Sequence, residues 1–194
     1  LAAVFYNSWL PDYFKLMDNH NYKKHDSNIL SILKIITLSA CFLILFGDLI
    51  GKLLGSKDFH EGLFLIPVIV IGVYLSTVTP VYQRNISYSK KTIWSSVVII
   101  FCGVLNAFLN AVYLPLYGIV ASAFTTLFSY LVQLLLTYLV VRFILKIHYL
   151  SFLKLIPLFV PIVICGSSYY YLNDIDNITL LFLRLVIFFS CTMY

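Results

Sequence analysis

Continuous apolar stretches of about 20 residues recur along this sequence, and they restrict its fold more than any other feature. A helix of that length crosses the roughly 30 Å hydrocarbon layer of a membrane. Membrane-spanning β-strands would instead alternate apolar and polar residues over runs of about 10 residues. Only 11% of the residues are charged, whereas soluble domains have about 25%. We therefore expect an all-α integral membrane protein.

Six segments are apolar and long enough to span a membrane as helices. They are residues 29–49, 62–82, 93–114, 118–141, 152–172 and 178–193. A short apolar lead at residues 1–6 is typical of the end of an earlier helix, and the first residue is not methionine. Residues 1–28 are therefore interpreted as the end of a preceding helix and a cytoplasmic loop, in a chain that begins inside a longer protein.

Lysine and arginine are concentrated in every second connection. The first, third and fifth connections contain Lys15, Lys23, Lys24, Arg84, Lys90, Lys91, Arg142, Lys146 and Lys154. The second contains only Lys52 and Lys57, and the fourth and sixth contain none. Loops rich in Lys and Arg remain on the cytoplasmic side of a membrane. The distribution therefore predicts that this segment has both its N terminus and its C terminus in the cytoplasm.

Known signatures of catalysis do not occur in the sequence. It has no nucleotide-binding GxxxxGK[ST] loop, no HExxH zinc motif and no GxSxG nucleophile motif, so we predict no catalytic residue, metal or cofactor and no enzymatic activity. The basic residues form no contiguous stripe, so we expect no nucleic-acid partner.

Histidines and cysteines each have a simpler interpretation than a role as metal ligands. The four histidines lie in or beside connections and are expected in water: His20, His25, His60 and His148. The four cysteines lie inside apolar runs and are expected to be small core residues: Cys41, Cys102, Cys165 and Cys191.

The stretch NAFLNAVYLPLYGIVASAFTT, residues 106–126, predicts a tight helical hairpin. Pro115 and Gly118 are expected to break the helix in a connection of about four residues, which makes the two helices antiparallel neighbours. Asn106 and Asn110 are one turn apart and share a face. Because lipid cannot satisfy an amide, that face points at another helix or at a water-filled cavity, and the sequence leaves both roles open. A ridge of small residues predicts close helix packing after the turn: Gly118, Ser122 and Thr126.

Three ionisable residues fall inside predicted spans. Lys34 is near the start of its helix and can extend to the cytoplasmic surface. Asp48 lies near the outer end of the same helix, where Lys52 is expected to pair with it. Arg184 is central in the last span, so it needs a partner, for which the candidates are an anionic substrate group, a carboxylate outside this chain, or one of the hairpin amides. Glycines around Asp48 predict either a close-packing ridge or a fraying helix end: Gly47, Gly51 and Gly55.

The hairpin pattern N-x-x-x-N-x-x-x-x-P-x-x-G-I-x-x-small-A-x-x-T, in which Ser122 is the small residue, resembles the C-terminal half of polysaccharide biosynthesis proteins. These are flippases for lipid-linked oligosaccharides in the multidrug/oligosaccharidyl-lipid/polysaccharide exporter superfamily. SWLPDYFK (8–15) resembles the loop after the family's eighth helix, LGSKDFHEGLFLIPVIVIG (54–72) its tenth helix and the preceding connection, and YSKKT (88–92) the basic loop before the eleventh. The resemblance covers residues 1–148; Ala121 stands where the family often has a second glycine.

The resemblance implies a place for each part of the chain in a two-bundle, alternating-access transporter. Residues 29–148 would be the four-helix part of its C-terminal lobe, and residues 149–194 an additional helix pair, together helices nine to fourteen. The implied partners are the missing N-terminal half of the same transporter, membrane lipids and a lipid-linked oligosaccharide. Asn106, Asn110 and Arg184 are the candidates for lining the substrate cavity or packing helices.

The implied function is the flipping of a polyprenyl-diphosphate-linked oligosaccharide across the bacterial inner membrane, for O-antigen or capsule synthesis. Two alternatives remain. An ion-coupled drug or organic-cation antiporter of the same superfamily would favour acidic residues in its cavity. A membrane enzyme of glycan assembly, such as a polymerase or ligase, would carry its catalytic residues in a large outer loop.

Overall fold

The computed structural model describes residues 12–55, 57–172, 183–188 and 190, and every regular element in these ranges is helical. The helices are α1 (12–18), α2 (Tyr22–Leu54), α3 (Ile66–Val78), α4 (Pro80–Tyr88), α5 (Ile93–Leu139), α6 (Ile156–Leu172) and α7 (183–188). Two 3₁₀ helices, Lys57–Leu65 and Phe152–Lys154, and a π-helix, Val140–Leu145, connect them. The apolar lead at residues 1–6, Cys191 and the start of the last expected span lie outside the described residues.

Within the described ranges, three helices are long and apolar enough to cross a membrane. They are Tyr22–Leu54, His60–Tyr88 and Ile93–Leu145, and Ile156–Tyr171 is a shorter apolar helix. The expected class, an all-α membrane protein, is therefore confirmed. Each of the three contains at least one of the spans expected from the sequence.

The first long helix, α2, has a polar start and a close-packed end. The Asn21 side chain caps it by accepting a hydrogen bond from the Lys24 N–H at 3.3 Å. Near its other end, Gly47 and Gly51 face Ile66 and Leu63, where an added Cβ would lie 2.8 and 2.5 Å from the nearest side-chain carbons. Gly47 and Gly51 therefore pack closely, as the ridge interpretation expects, whereas Gly55 is the C-cap at the end of the helix.

Helix α5 folds back on itself at Gly118. This residue has φ 62° and ψ −147°, a conformation outside the helical region that glycine adopts most easily. Thr125 and Asn110, which would be more than 20 Å apart in a straight helix, are hydrogen-bonded at 3.0 Å. We call residues 93–117 the first arm and 119–139 the second arm. The expected hairpin is present, but Pro115 lies inside the first arm, and the reversal occurs at Gly118 alone.

The connections of the bundle collect at two opposite ends. At the first end, Tyr88 donates to Asp18 at 2.8 Å and Tyr82 donates to the Leu150 carbonyl at 3.2 Å. At the second, Tyr169 donates to the Leu63 carbonyl at 3.1 Å. The alternation of the helices thus places the Lys- and Arg-rich connections together at the first end, around α1, the α4–α5 turn and residues 142–154.

Candidate functional site

The most polar feature of the hairpin is a row of hydrogen bonds that joins its two arms. Thr125 Oγ1 donates to Asn110 Oδ1 at 3.0 Å, and Asn110 Nδ2 donates to Asn106 Oδ1 at 2.9 Å and to the Asn106 carbonyl at 3.1 Å. Thr125 is buried, and the two asparagines are half-buried. One side of the Asn110 amide is therefore satisfied by the opposite arm and the other by its own helix.

The Asn106 side chain ends this row. Its Oδ1 accepts from Asn110, whereas no hydrogen bond from its Nδ2 is found among the described residues. An amide N–H in a membrane is stable only when it has an acceptor in protein, in water or in a substrate. Asn106 is therefore the member of the row that can bind a group from outside the chain.

A groove of about 380 Å³ lies between the two arms beside this row. It is lined by Leu109, Tyr113, Tyr117, Val120, Ala121, Phe124, Thr125 and Phe128. Apart from the tyrosine hydroxyls and Thr125, the lining is hydrocarbon. A groove of this composition fits an acyl or polyprenyl chain, or an apolar helix, better than it fits a sugar.

The small residues at the turn and in the second arm do not form the continuous packing ridge that the sequence predicts. Gly118 is exposed, and a Cβ built there would meet no atom within 4 Å. Ser122 and Thr126 are half-buried, and the Ser122 carbonyl lies 3.1 Å from Thr125 Oγ1, where it is a second acceptor within reach of the single hydroxyl proton. What the structure adds for Gly118 is its positive φ, which makes it the turning point of the hairpin.

Arg184 forms a buried ion pair with Asp48. Its Nη1 and Nη2 donate to Asp48 Oδ1 and Oδ2 at 2.7 and 3.1 Å, with less than a tenth of either side chain exposed. The guanidinium carbon also lies 5.7 Å from the centre of the Tyr169 ring. The expected pairing of Asp48 with Lys52 is wrong, because Lys52 is exposed and Asp48 turns instead towards α7. A bidentate pair satisfies both charges where water is excluded.

A second buried carboxylate, Asp26, collects three basic side chains at the first end. Its Oδ1 lies 3.2 Å from His25 Nδ1 and 3.0 Å from His148 Nε2, and its Oδ2 accepts from Lys154 Nζ at 2.7 Å. The expectation that the histidines lie in water is wrong for His25, which is fully buried in the first turns of α2. Lys34, by contrast, is exposed, as extension towards the membrane surface requires.

Comparisons with family models, curated proteins and solved structures find no match to this chain. The assignment of a function therefore depends on the residues themselves.

Sequence reasoning missed both buried charge clusters. Asp48 and Arg184 are 136 residues apart, and Asp26 and His148 are 122 residues apart, so no local spacing connects them. One local signal was present for Arg184: a central arginine in an apolar span requires a partner, and Asp48 is among the few acidic residues of the chain. For His25, the signal was its position next to Asp26 at the start of an apolar helix.

Proposed function

We propose that this chain is part of a transporter that moves a polyprenyl-diphosphate-linked oligosaccharide across a bacterial inner membrane. The observation that carries the proposal is the polar row Asn106–Asn110–Thr125, set beside an apolar groove in the segment that resembles the flippases. An amphiphilic substrate needs both kinds of surface, because its lipid chain stays in hydrocarbon while its polar group crosses it.

The sparse internal packing of the hairpin supports this proposal. Only 11% of the most apolar window of the Ile93–Leu145 helix is buried within the chain, against 44% for each of the other two long helices. A surface this apolar is stable when lipid or further helices cover it. In the proposed transporter, lipid covers one side of the hairpin and the N-terminal lobe faces the other.

The proposed arrangement in the membrane has six crossings, with both ends of the segment in the cytoplasm. The two arms of the hairpin count as separate crossings, and α6 and the helix containing Arg184 form the final pair. The first end of the bundle, which carries most of the basic connections, is the cytoplasmic one. Gly118 and its neighbours then lie at the outer surface.

The buried ion pair argues against the cation antiporter. An antiporter for organic cations needs a carboxylate that its substrate can reach. Asp48, the acidic residue inside the expected spans, is buried and accepts two hydrogen bonds from Arg184. A cation would have to displace that guanidinium before it could bind.

Deletion of the gene followed by its restoration tests the proposal. Membrane lipids are extracted, and polyprenyl-diphosphate oligosaccharides are quantified by mass spectrometry, with drug sensitivity measured on the same strains. We expect intact oligosaccharide units to accumulate on deletion and to clear on restoration. An unchanged lipid pool with altered drug sensitivity would contradict the proposal and indicate the antiporter.

A further inference from the structure

The Asp26 cluster joins two parts of the chain that are distant in sequence. His25 and Asp26 lie in the first turns of α2, whereas His148 precedes α6 by eight residues. One imidazole nitrogen from each histidine and one carboxylate oxygen of Asp26 all lie within 4.8 Å of one another. The three residues are therefore close enough to share a single atom between them.

We propose that His25, Asp26 and His148 form a binding site for Zn²⁺. Two imidazoles and a carboxylate are ligands that zinc prefers, and three protein ligands with one further position taken by water complete a tetrahedral site. Adjacent ligands of a tetrahedral zinc at about 2.0–2.1 Å are separated by roughly 3.3 Å. The separations of 3.2 and 3.0 Å from Asp26 Oδ1 to the two imidazole nitrogens already match this spacing.

Both imidazole rings are held by aromatic neighbours. Tyr22 stacks on His148 with ring centres 4.1 Å apart and an angle of 19° between the planes. Tyr13 packs edge-on against His25 at 4.7 Å. Fixed rings lower the entropy lost on metal binding, which is how surrounding side chains raise metal affinity. His148 is the partly exposed member, with about a quarter of its side chain in solvent, and it gives an ion access from the surface.

The Lys154 ammonium opposes the binding of a cation here. It binds Asp26 Oδ2 and leaves Oδ1, the oxygen that faces both histidines. Half of the Lys154 side chain is exposed, so the ammonium can move into water when an ion enters. Zinc would then replace the hydrogen bonds that hold α2 to the segment before α6 with stronger coordinate bonds.

Titration with Co²⁺, which reports its own coordination by visible absorption, tests the site. The full chain is purified in detergent, stripped with a chelator, titrated with Co²⁺ and then challenged with Zn²⁺. We expect the d–d absorption of four-coordinate cobalt at one ion per chain and its loss on addition of Zn²⁺. His148→Ala and Asp26→Asn should each weaken binding at least tenfold. His60→Ala, which changes a histidine in the Lys57–Leu65 helix at the opposite end of the bundle, should leave binding unchanged.

Absence of the absorption in a folded wild-type chain would overturn the proposal. So would an equal signal in the wild type, His148→Ala and Asp26→Asn, because the ion would then be bound elsewhere. Circular dichroism and thermal unfolding establish that each variant is folded. If His148→Ala unfolds, His148→Gln, which keeps a polar side chain of similar length, takes its place. The proposal does not depend on transport, so its failure would leave the flippase assignment unchanged.

Discussion

Buried charges are the residue-scale feature that most distinguishes this chain. Arg184 and Asp48 form a bidentate ion pair that is buried from water, and the Tyr169 ring lies against the guanidinium. The pair connects α7 to the C-terminal part of α2, and neither of its residues belongs to the polar row of the hairpin. Its geometry indicates that Arg184 holds the last helix in place, rather than binding a substrate.

Removing one partner of this pair should destabilise the protein strongly. Arg184→Gln leaves the Asp48 carboxylate buried without its counter-charge, which costs about 3–5 kcal/mol. The double variant Arg184→Gln with Asp48→Asn should lose less than the sum of the two single changes, because no lone charge remains. Thermal unfolding in detergent measures both. Lys52→Gln is the control and should have almost no effect, since Lys52 is exposed. Wild-type stability in Arg184→Gln would contradict the assigned role of the pair.

A second residue-scale prediction concerns the ammonium beside the proposed zinc ligands. Lys154→Gln removes a positive charge next to Asp26, so electrostatic repulsion of Zn²⁺ falls and its affinity should rise about tenfold. Isothermal titration calorimetry of the two chains gives the ratio of dissociation constants. Lys146→Gln, a change in the same connection, serves as the control. Weaker zinc binding in Lys154→Gln would show that the lysine supports the site instead of competing for it.

At the scale of elements, the hairpin depends on a single backbone conformation. Gly118 combines φ 62° with ψ −147°, close to a region that is almost exclusive to glycine. A Cβ at this position would meet open space, so any cost of substitution comes from the backbone and not from a clash.

Gly118→Ala should therefore destabilise the chain by about 1–3 kcal/mol. Gly103→Ala is the matched control, since Gly103 is helical and a Cβ there also meets nothing within 4 Å. That change should be neutral or stabilising by about 0.5–1 kcal/mol, because alanine favours helix. Thermal unfolding of the two variants under one set of conditions compares them. Equal effects would mean that the reversal does not require a positive φ.

Local patterns predicted most of the elements, whereas distant pairs were not predictable. The apolar runs predicted α2 and α5, since the length and the apolar composition of a segment are enough to show that it can span a membrane. The hairpin was predicted from Asn106 to Thr126, but Pro115 was given a role that Gly118 fills alone. The Asp48–Arg184 and Asp26–His148 contacts depend on how helices pack, and residues over a hundred positions apart share no spacing that reveals this.

The whole molecule has a basic end and an opposite end that contains the hairpin turn. The proposed topology can be tested with a membrane-impermeant maleimide on intact cells, in a variant whose own cysteines are replaced by alanine. Tyr117→Cys, at the exposed tip of the hairpin, should be labelled from outside. Lys24→Cys, at the exposed start of α2, should be labelled only after lysis. The reverse pattern would invert the topology.

The leaflet in which oligosaccharide units accumulate tests the central claim most directly. Cells that lack the gene are treated with an impermeant glycosidase or lectin, before and after the inner membrane is opened, and the lipid-linked units that react are quantified. If the protein is a flippase, the units in the deletion strain lie on the cytoplasmic leaflet and are protected from the reagent. They become reactive in intact spheroplasts once the gene is restored. Units that already lie on the outer leaflet in the deletion strain would contradict the account, because flipping would then be intact and a later enzyme would be the missing step.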